Sequence, residues 1–202
     1  MIMNIKKHFT VSNAISALMV LFILAMVAFP SFKGTVMQQL LKTGLFSPDV
    51  SGSDGGKPLT GFLPAETASI QFKDPQGRIV SLGDQRGKVV FLNFWATWCP
   101  PCIAEMPSIQ QFYDRFNDDG QVVFLLVDVD NQRAKADKFM HKHDFTLPVY
   151  TPAGPIPDTY MGGSIPTTLV LNKYGQVVFK HEGMGDYSNA EFHTFITQLI
   201  NE

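Results

Sequence analysis

Val89-Val90-Phe91-Leu92-Asn93-Phe94-Trp95-Ala96-Thr97-Trp98-Cys99-Pro100-Pro101-Cys102 decides how this chain folds. The run from Val89 to Trp95 is nearly all apolar, β-branched or aromatic, as in a strand buried on both faces of a parallel or mixed sheet. From Pro101 to about Phe116 the apolar residues Ile103, Met106, Ile109, Tyr113 and Phe116 return at three- and four-residue steps, which predicts a helix kinked at Pro107. The only two cysteines of the chain therefore stand at a strand-to-helix junction. There the positive end of the helix dipole favours the thiolate of Cys99, and Cys102 lies one turn on, within disulfide reach. A lone pair closing so short a loop adds little stability, so redox chemistry explains it better than stapling.

Outward from this stretch the pattern alternates. Upstream, Ala68 to Phe72 and Arg78 to Leu82 flank the turn Asp74-Pro75-Gln76-Gly77 and predict a hairpin. Downstream, Gln121 to Val129 reads as a second buried strand and Asn131 to His143 as a more polar helix. Thr168 to Asn172 and Gln176 to His181 make another hairpin around Lys173-Tyr174-Gly175. Ser188 with Glu191 forms a capping box, followed by a helix with Phe192, Phe195, Ile196, Leu199 and Ile200 on one face. The order is strand-helix-strand, a connecting helix, then strand-strand-helix.

The 202 residues allow one ordinary domain with a full core and an appendage. A net charge of −2 with no basic cluster argues against a nucleic-acid partner. The N-terminus places Lys6 and Lys7 before an apolar stretch over residues 9–32, close to the roughly 20 residues that cross a bilayer core. An uncleaved anchor is favoured over a signal peptide, because the small-x-small cleavage pattern at Met26 and Ala28 is poor. The expected layout is a cytoplasmic N-terminus at 1–8, an anchor at 9–32, a juxtamembrane helix and flexible linker at 33–57, and a folded domain at 58–202.

Asn93-Phe94-Trp95-Ala96-Thr97-Trp98-Cys99-Pro100-Pro101-Cys102 with Glu105-Met106-Pro107, and far downstream Gly163-Ser164-Ile165-Pro166-Thr167-Thr168, resemble the membrane-anchored TlpA-like and ResA-like thioredoxin-fold thiol-disulfide oxidoreductases of bacteria. The resemblance covers about Thr67 to Glu202. It implies an α/β thioredoxin fold: a central mixed sheet flanked by helices, an N-terminal β-hairpin, and a helix-strand insertion supplied by Asp130 to Tyr150. It also implies that Ile165-Pro166 is a cis peptide facing the dithiol, and that the acid near the dithiol is Glu105. Ordinary thioredoxin has a buried acid six residues before its first cysteine. Here that position is Asn93, which cannot move a proton.

Cys99 is expected to be the exposed, attacking thiolate, and Cys102 the covered thiol that resolves the mixed disulfide. Pro100 and Pro101 have no N–H to give to the Cys99 sulfur, which leaves the N–H groups of Cys102 and Ile103. Fewer donors stabilise the thiolate less and favour a reductant over an oxidant. Glu105, one turn past Cys102, would have a raised pKa if buried and would exchange protons with that thiol; the alternative is a solvated first-turn glutamate. Trp98, Pro100, Pro101, Ile165 and Pro166 are the expected substrate-binding residues. No cofactor beyond the Cys99-Cys102 disulfide is expected, and no metal, since zinc needs four ligands and only the cysteines are suitably paired. Asp128 and Asp130 read as a solvated strand end.

The resemblance implies partners as well: disulfide-bearing exported proteins such as apocytochrome c or copper-site assembly proteins, and a membrane thiol reductase that conveys electrons to the dithiol. Membrane lipid would hold the anchor, and the implied location is the bacterial inner membrane with the domain on its periplasmic side. Two other functions stay open from the residues. One is a redoxin-type peroxidase, although Ala96 stands where those proteins commonly have threonine. The other is a non-enzymatic, membrane-bound interaction module with the same fold.

Overall fold

The computed structural model describes residues 11–28, 39, 47–50, 57–62, 64–118 and 120–202. Among the described residues the elements, in chain order, are α1 (Val11–Ala28), α2 (Pro64–Ser69), β1 (Gln71–Lys73), β2 (Ile79–Ser81), a 3-10 turn (Gly83–Gln85), β3 (Val89–Trp95), α3 (Pro100–Phe116), β4 (Val122–Asp128), α4 (Arg133–Lys142), β5 (Val149–Pro152), α5 (Asp158–Met161), β6 (Thr167–Leu171), β7 (Val177–Glu182) and α6 (Ala190–Asn201).

Seven strands form one mixed sheet in the order β2-β1-β5-β4-β3-β6-β7. β3 is parallel to β4 and β4 to β5, while β3–β6, β6–β7, β1–β5 and β1–β2 are antiparallel. This is a thioredoxin-like α/β fold. All seven residues of β3 are buried, as its apolar run requires of a central strand. Alternation along the strand splits its side chains between the two faces. Val89, Phe91 and Trp95 join the core cluster that includes α3 and α6, whereas Val90, Leu92 and Phe94 pack in the cluster of Leu82, Tyr160 and Leu169. Asn93 falls in the first row and is the strand's one polar residue.

Aromatic rings fill the α3 side. Phe91 lies 5.2 Å from both Phe112 and Tyr187 between ring centroids, and Phe112 lies 5.0 Å from Phe124 and 5.2 Å from Phe192. Edge-to-face packing of this kind adds to the burial of large apolar area.

Several local expectations move by a residue or two. The first hairpin pairs Gln71–Lys73 with Ile79–Ser81, and Ala68 belongs to α2. The inner face of α3 comprises Cys102, Glu105, Met106, Ile109, Phe112 and Phe116, with Ile103 and Tyr113 only half-buried. The N-cap of α6 is Asn189, whose side chain accepts from the Phe192 N–H at 2.8 Å; Ser188 instead donates to Asp186. Asn and Ser are comparable caps, and the one nearer the helix takes the role.

The expected crossing at 9–32 is described only over α1, which presents Ile15, Leu18, Met19, Leu21 and Leu24 as exposed side chains. At 1.5 Å per residue α1 covers about 27 Å against a hydrocarbon core of about 30 Å. Among the described residues no helix is long and apolar enough to cross a membrane. The expected cytoplasmic segment 1–8, and the juxtamembrane helix and linker apart from a few positions, lie outside the described residues.

Candidate active site

The end of β3 delivers the chain directly into α3, and Cys99 is the N-cap of that helix, with extended backbone at φ −86° and ψ 107°. Pro100 and Pro101 fit the first helical positions, where an absent N–H costs nothing. The Cys99 sulfur accepts from the Cys102 N–H at 3.2 Å, while the Ile103 N–H goes to the Cys99 carbonyl at 3.0 Å. Of the two donors the prolines leave, one therefore reaches the sulfur. The two cysteines are joined, with their Cα atoms 5.3 Å apart.

Cys102 is fully buried and Cys99 is only 3% exposed, which corrects the expectation of an exposed attacking sulfur. The cover comes partly from the loop before β6: the Cys99 sulfur lies 3.8 Å from the Ile165 carbonyl oxygen. The Ile165–Pro166 peptide is cis. Trp98 and Pro100 are exposed beside the dithiol, Pro101 and Ile165 half-buried, and Pro166 buried. Trp98, 59% exposed, donates through its indole to the Asp130 carboxylate at 2.6 Å. Asp128 is buried and accepts from the Gln132 N–H at 2.7 Å. These two aspartates are thus engaged by protein groups rather than forming a solvated strand end. Among the described residues no group of three or more His, Cys, Asp or Glu side chains is placed to hold a metal ion.

One turn along α3 from Cys102, a cluster of polar groups lies inside an aromatic core. Glu105 is fully buried, because its place on α3 points it at the β3 row that carries Asn93. Asn93 Nδ2 donates to Glu105 Oε1 at 2.8 Å and to Thr168 Oγ1 at 2.9 Å. The Gly185 N–H donates to Glu105 Oε2 at 3.1 Å, and the Tyr187 hydroxyl donates to Thr168 Oγ1 at 2.7 Å. Ser108 ties the same loop to α3 by donating to the carbonyls of Glu105 and Gly185 and accepting from the Tyr187 N–H. Gly185 cannot carry a side chain here, since a Cβ would stand 2.8 Å from the Tyr187 ring.

Burial pushes the Glu105 carboxyl up to about 8, against the opposing pull of the Gly185 N–H and the Asn93 amide. Burial and the Glu105 charge together push the Tyr187 phenol well above its ordinary value, so it stays a hydroxyl donor. The solvated alternative for Glu105 is excluded by its burial. A carboxyl with this titration, one helical turn from Cys102, is suited to giving and taking a proton near neutral pH.

The sequence places Asn93 where thioredoxin has its buried acid, but as a residue that cannot move a proton; Thr168, Gly185 and Tyr187 carry no signal of belonging to this pocket, and Tyr187 sits in a loop with no motif. One signal does exist in the sequence: Glu105 takes an inward position in the row Cys102, Glu105, Ile109, Phe112 of α3.

A family model described as the AhpC/TSA family matches residues 64–180. A protein of Bacillus cereus named thiol-disulfide oxidoreductase ResA is 36% identical over 135 residues, which is 66% of this chain and 76% of that protein. One of the same name from Halalkalibacterium halodurans is 30% identical over 119 residues, covering 58% of this chain and 67% of that protein. Among solved structures, a thiol:disulfide interchange protein of the thioredoxin family from Chlorobium tepidum superposes with a TM-score of 0.53 at 25% identity, covering 66% of this chain and 96% of that one. The exposed lipoprotein thioredoxin of Streptococcus pneumoniae superposes with a TM-score of 0.50 at 29% identity, covering 62% and 96%.

Proposed function

We propose, from the premise that this chain belongs to the AhpC/TSA family and is a ResA-like, thioredoxin-fold thiol-disulfide oxidoreductase, that it works as a membrane-anchored, extracytoplasmic reductant of protein disulfides. The observation that carries the reading is the Cys99-Cys102 disulfide at a helix N-terminus, one turn before a buried acid with a near-neutral titration.

The reaction begins from the dithiol. The Cys99 thiolate attacks one sulfur of a substrate disulfide, the substrate S–S bond breaks, and one substrate thiolate leaves. Cys102 loses its proton to Glu105 and attacks the Cys99 sulfur. The mixed disulfide breaks, the second substrate thiolate departs, and the Cys99-Cys102 disulfide forms. Two electrons have then passed to the substrate; its two thiolates take their protons from solvent, and the Cys102 proton rests on Glu105. A membrane thiol reductase supplies two electrons in return, regenerating the dithiol as Glu105 gives back its proton, and no cofactor beyond the cysteines enters the cycle. Trp98, Pro100, Pro101, Ile165 and Pro166 form the surface on which the substrate chain rests, with Ile165 beside the sulfur.

The reductant direction is supported by the two prolines, which withhold N–H groups from the Cys99 sulfur. Anchoring is supported by Lys6 and Lys7 before the apolar stretch and by the exposed apolar surface of α1. Apocytochrome c and copper-site assembly proteins are the proposed exported substrates, as the resemblance carried by the Cys99-Cys102 and Ile165-Pro166 motifs implies.

The test is capture in cells of a bacterium producing the chain. Cys102→Ser is expected to hold a mixed disulfide with substrate, whereas Cys99→Ser forms none. Equal trapping by both variants defeats the assignment. A chain lacking residues 1–32 is expected to leave the membrane fraction. Retention there removes the anchor from the reading.

A further inference from the structure

Asn93 is fully buried, and its amide is used unevenly. Both Nδ2 hydrogens are engaged, one by Glu105 Oε1 and one by Thr168 Oγ1, while Oδ1 has no partner. A buried acceptor without a donor is costly and calls for a reason. This arrangement suits an ionised Glu105, whose two oxygens accept from Asn93 and Gly185. It does not suit the carboxylic acid. Oε2 is held by the Gly185 N–H, so an added proton resides on Oε1, where it would face the Asn93 N–H group.

We propose that Asn93 is a positioning residue for proton exchange at Glu105: its carboxamide donates to the carboxylate and, turned over about its last side-chain bond, accepts from the carboxylic acid, with the Thr168 hydroxyl reversing its role in step. The inference rests on the proton-handling role of Glu105 given above. In the turned arrangement Oδ1 accepts from the Glu105 hydroxyl and from the Thr168 hydroxyl. Thr168 Oγ1 goes on accepting from the Tyr187 hydroxyl, as it does now. Three side-chain hydrogen bonds link these four residues in either state. Glu105 therefore keeps a hydrogen bond to Asn93 in both protonation states, and the unpaired end of the amide is Oδ1 in one and Nδ2 in the other.

A second carboxylate at position 93 would fail in this role, because it would stand within hydrogen-bond distance of Glu105 and repel its charge. With Cys102 held in the disulfide, the titratable group facing Glu105 is the Tyr187 phenol from the loop before α6. The Glu105 titration is set by burial, the Gly185 N–H and Asn93, with no charged side chain among its causes.

The experiment follows the Asn93 side-chain amide by NMR in the oxidised full chain, held in detergent, as pH is varied. Nuclear Overhauser contacts from the Nδ2 hydrogens to Thr168 are expected above the Glu105 midpoint and lost below it; contacts unchanged across the titration overturn the proposal. The midpoint itself is read from the infrared carbonyl band that Glu105→Gln removes. Thr168→Val is expected to shift that midpoint by about one unit, a tenfold change in proton affinity, because it removes the hydroxyl that holds the Asn93 amide in either arrangement. Thr168→Ser is expected to keep the parent midpoint. Equal midpoints for the Val and Ser variants also overturn it. These readings need no substrate, so they stand or fall separately from disulfide reduction, which is assayed on the same preparation.

Discussion

Asn93 and Glu105 are 12 residues apart in the chain and bonded at 2.8 Å, one on the central strand and the other on the helix that begins at the disulfide. Their contact places an ionisable group inside an aromatic core, where water cannot compensate its charge. Most of what distinguishes this site follows from that placement.

Stability should depend on pH through Glu105. Burial raises its pKa from 4.5 to about 8, so the folded protein keeps a proton that the unfolded chain has released. The favourable contribution is complete below the unfolded value and is lost as pH climbs through about 8. Urea unfolding of the parent and Glu105→Gln is expected to diverge across that window. The parent should lose on the order of a few kcal/mol relative to the variant, because a shift of several units is being withdrawn. A parent that gains on the variant as pH rises contradicts the burial argument.

Thiol reactivity should report the same group. Above its midpoint, Glu105 is an anion beside Cys102 and disfavours a second negative charge there. In the reduced Glu105→Gln protein, alkylation by iodoacetamide is expected to reach half its maximal rate at lower pH than in the parent. The pair titrates as a coupled unit, so the shift belongs to the dithiol and not to one sulfur. An unchanged profile would leave Glu105 a structural group only.

Trp98 is predicted to matter for substrates far more than for the fold. The residue is 59% exposed and its ring is anchored by Asp130. Trp98→Ala is expected to lower kcat/KM for protein disulfides about tenfold, or ~1.4 kcal/mol, with little change in Tm. Asp130→Ala should produce part of that loss and Asp130→Asn, which keeps an acceptor, less. A variant that loses Tm and keeps its kinetics would reverse the assignment.

Phe112 should behave in the opposite way. It is fully buried among Phe91, Phe116, Phe124 and Phe192. Phe112→Ala is expected to destabilise the domain by about 3–5 kcal/mol in denaturant unfolding, through lost burial and a residual cavity. The rate of dithiol exchange in the remaining folded protein should be close to that of the parent. A loss under 1 kcal/mol (about the cost of a small core trim) would mean the site collapses to fill the space.

The amino-acid sequence alone determined the elements and the chemistry at their junctions. A buried strand running into a helix, one cysteine at the helix cap and the other in its first turn, paired prolines and the distant Ile165-Pro166 loop are all local patterns, because periodicity and backbone preference act over a few residues. Only the tertiary structure decided that Glu105 is buried beyond solvent, that Cys99 is covered, and that Trp98 is tethered to Asp130. It also chose the partners of Glu105: Asn93 contacts Thr168 across 75 residues of chain, and Gly185 reaches Glu105 across 80. Hydrogen bonds over such separations come from the packing of β3, β6 and α3 and the loop before α6, and no local preference encodes them.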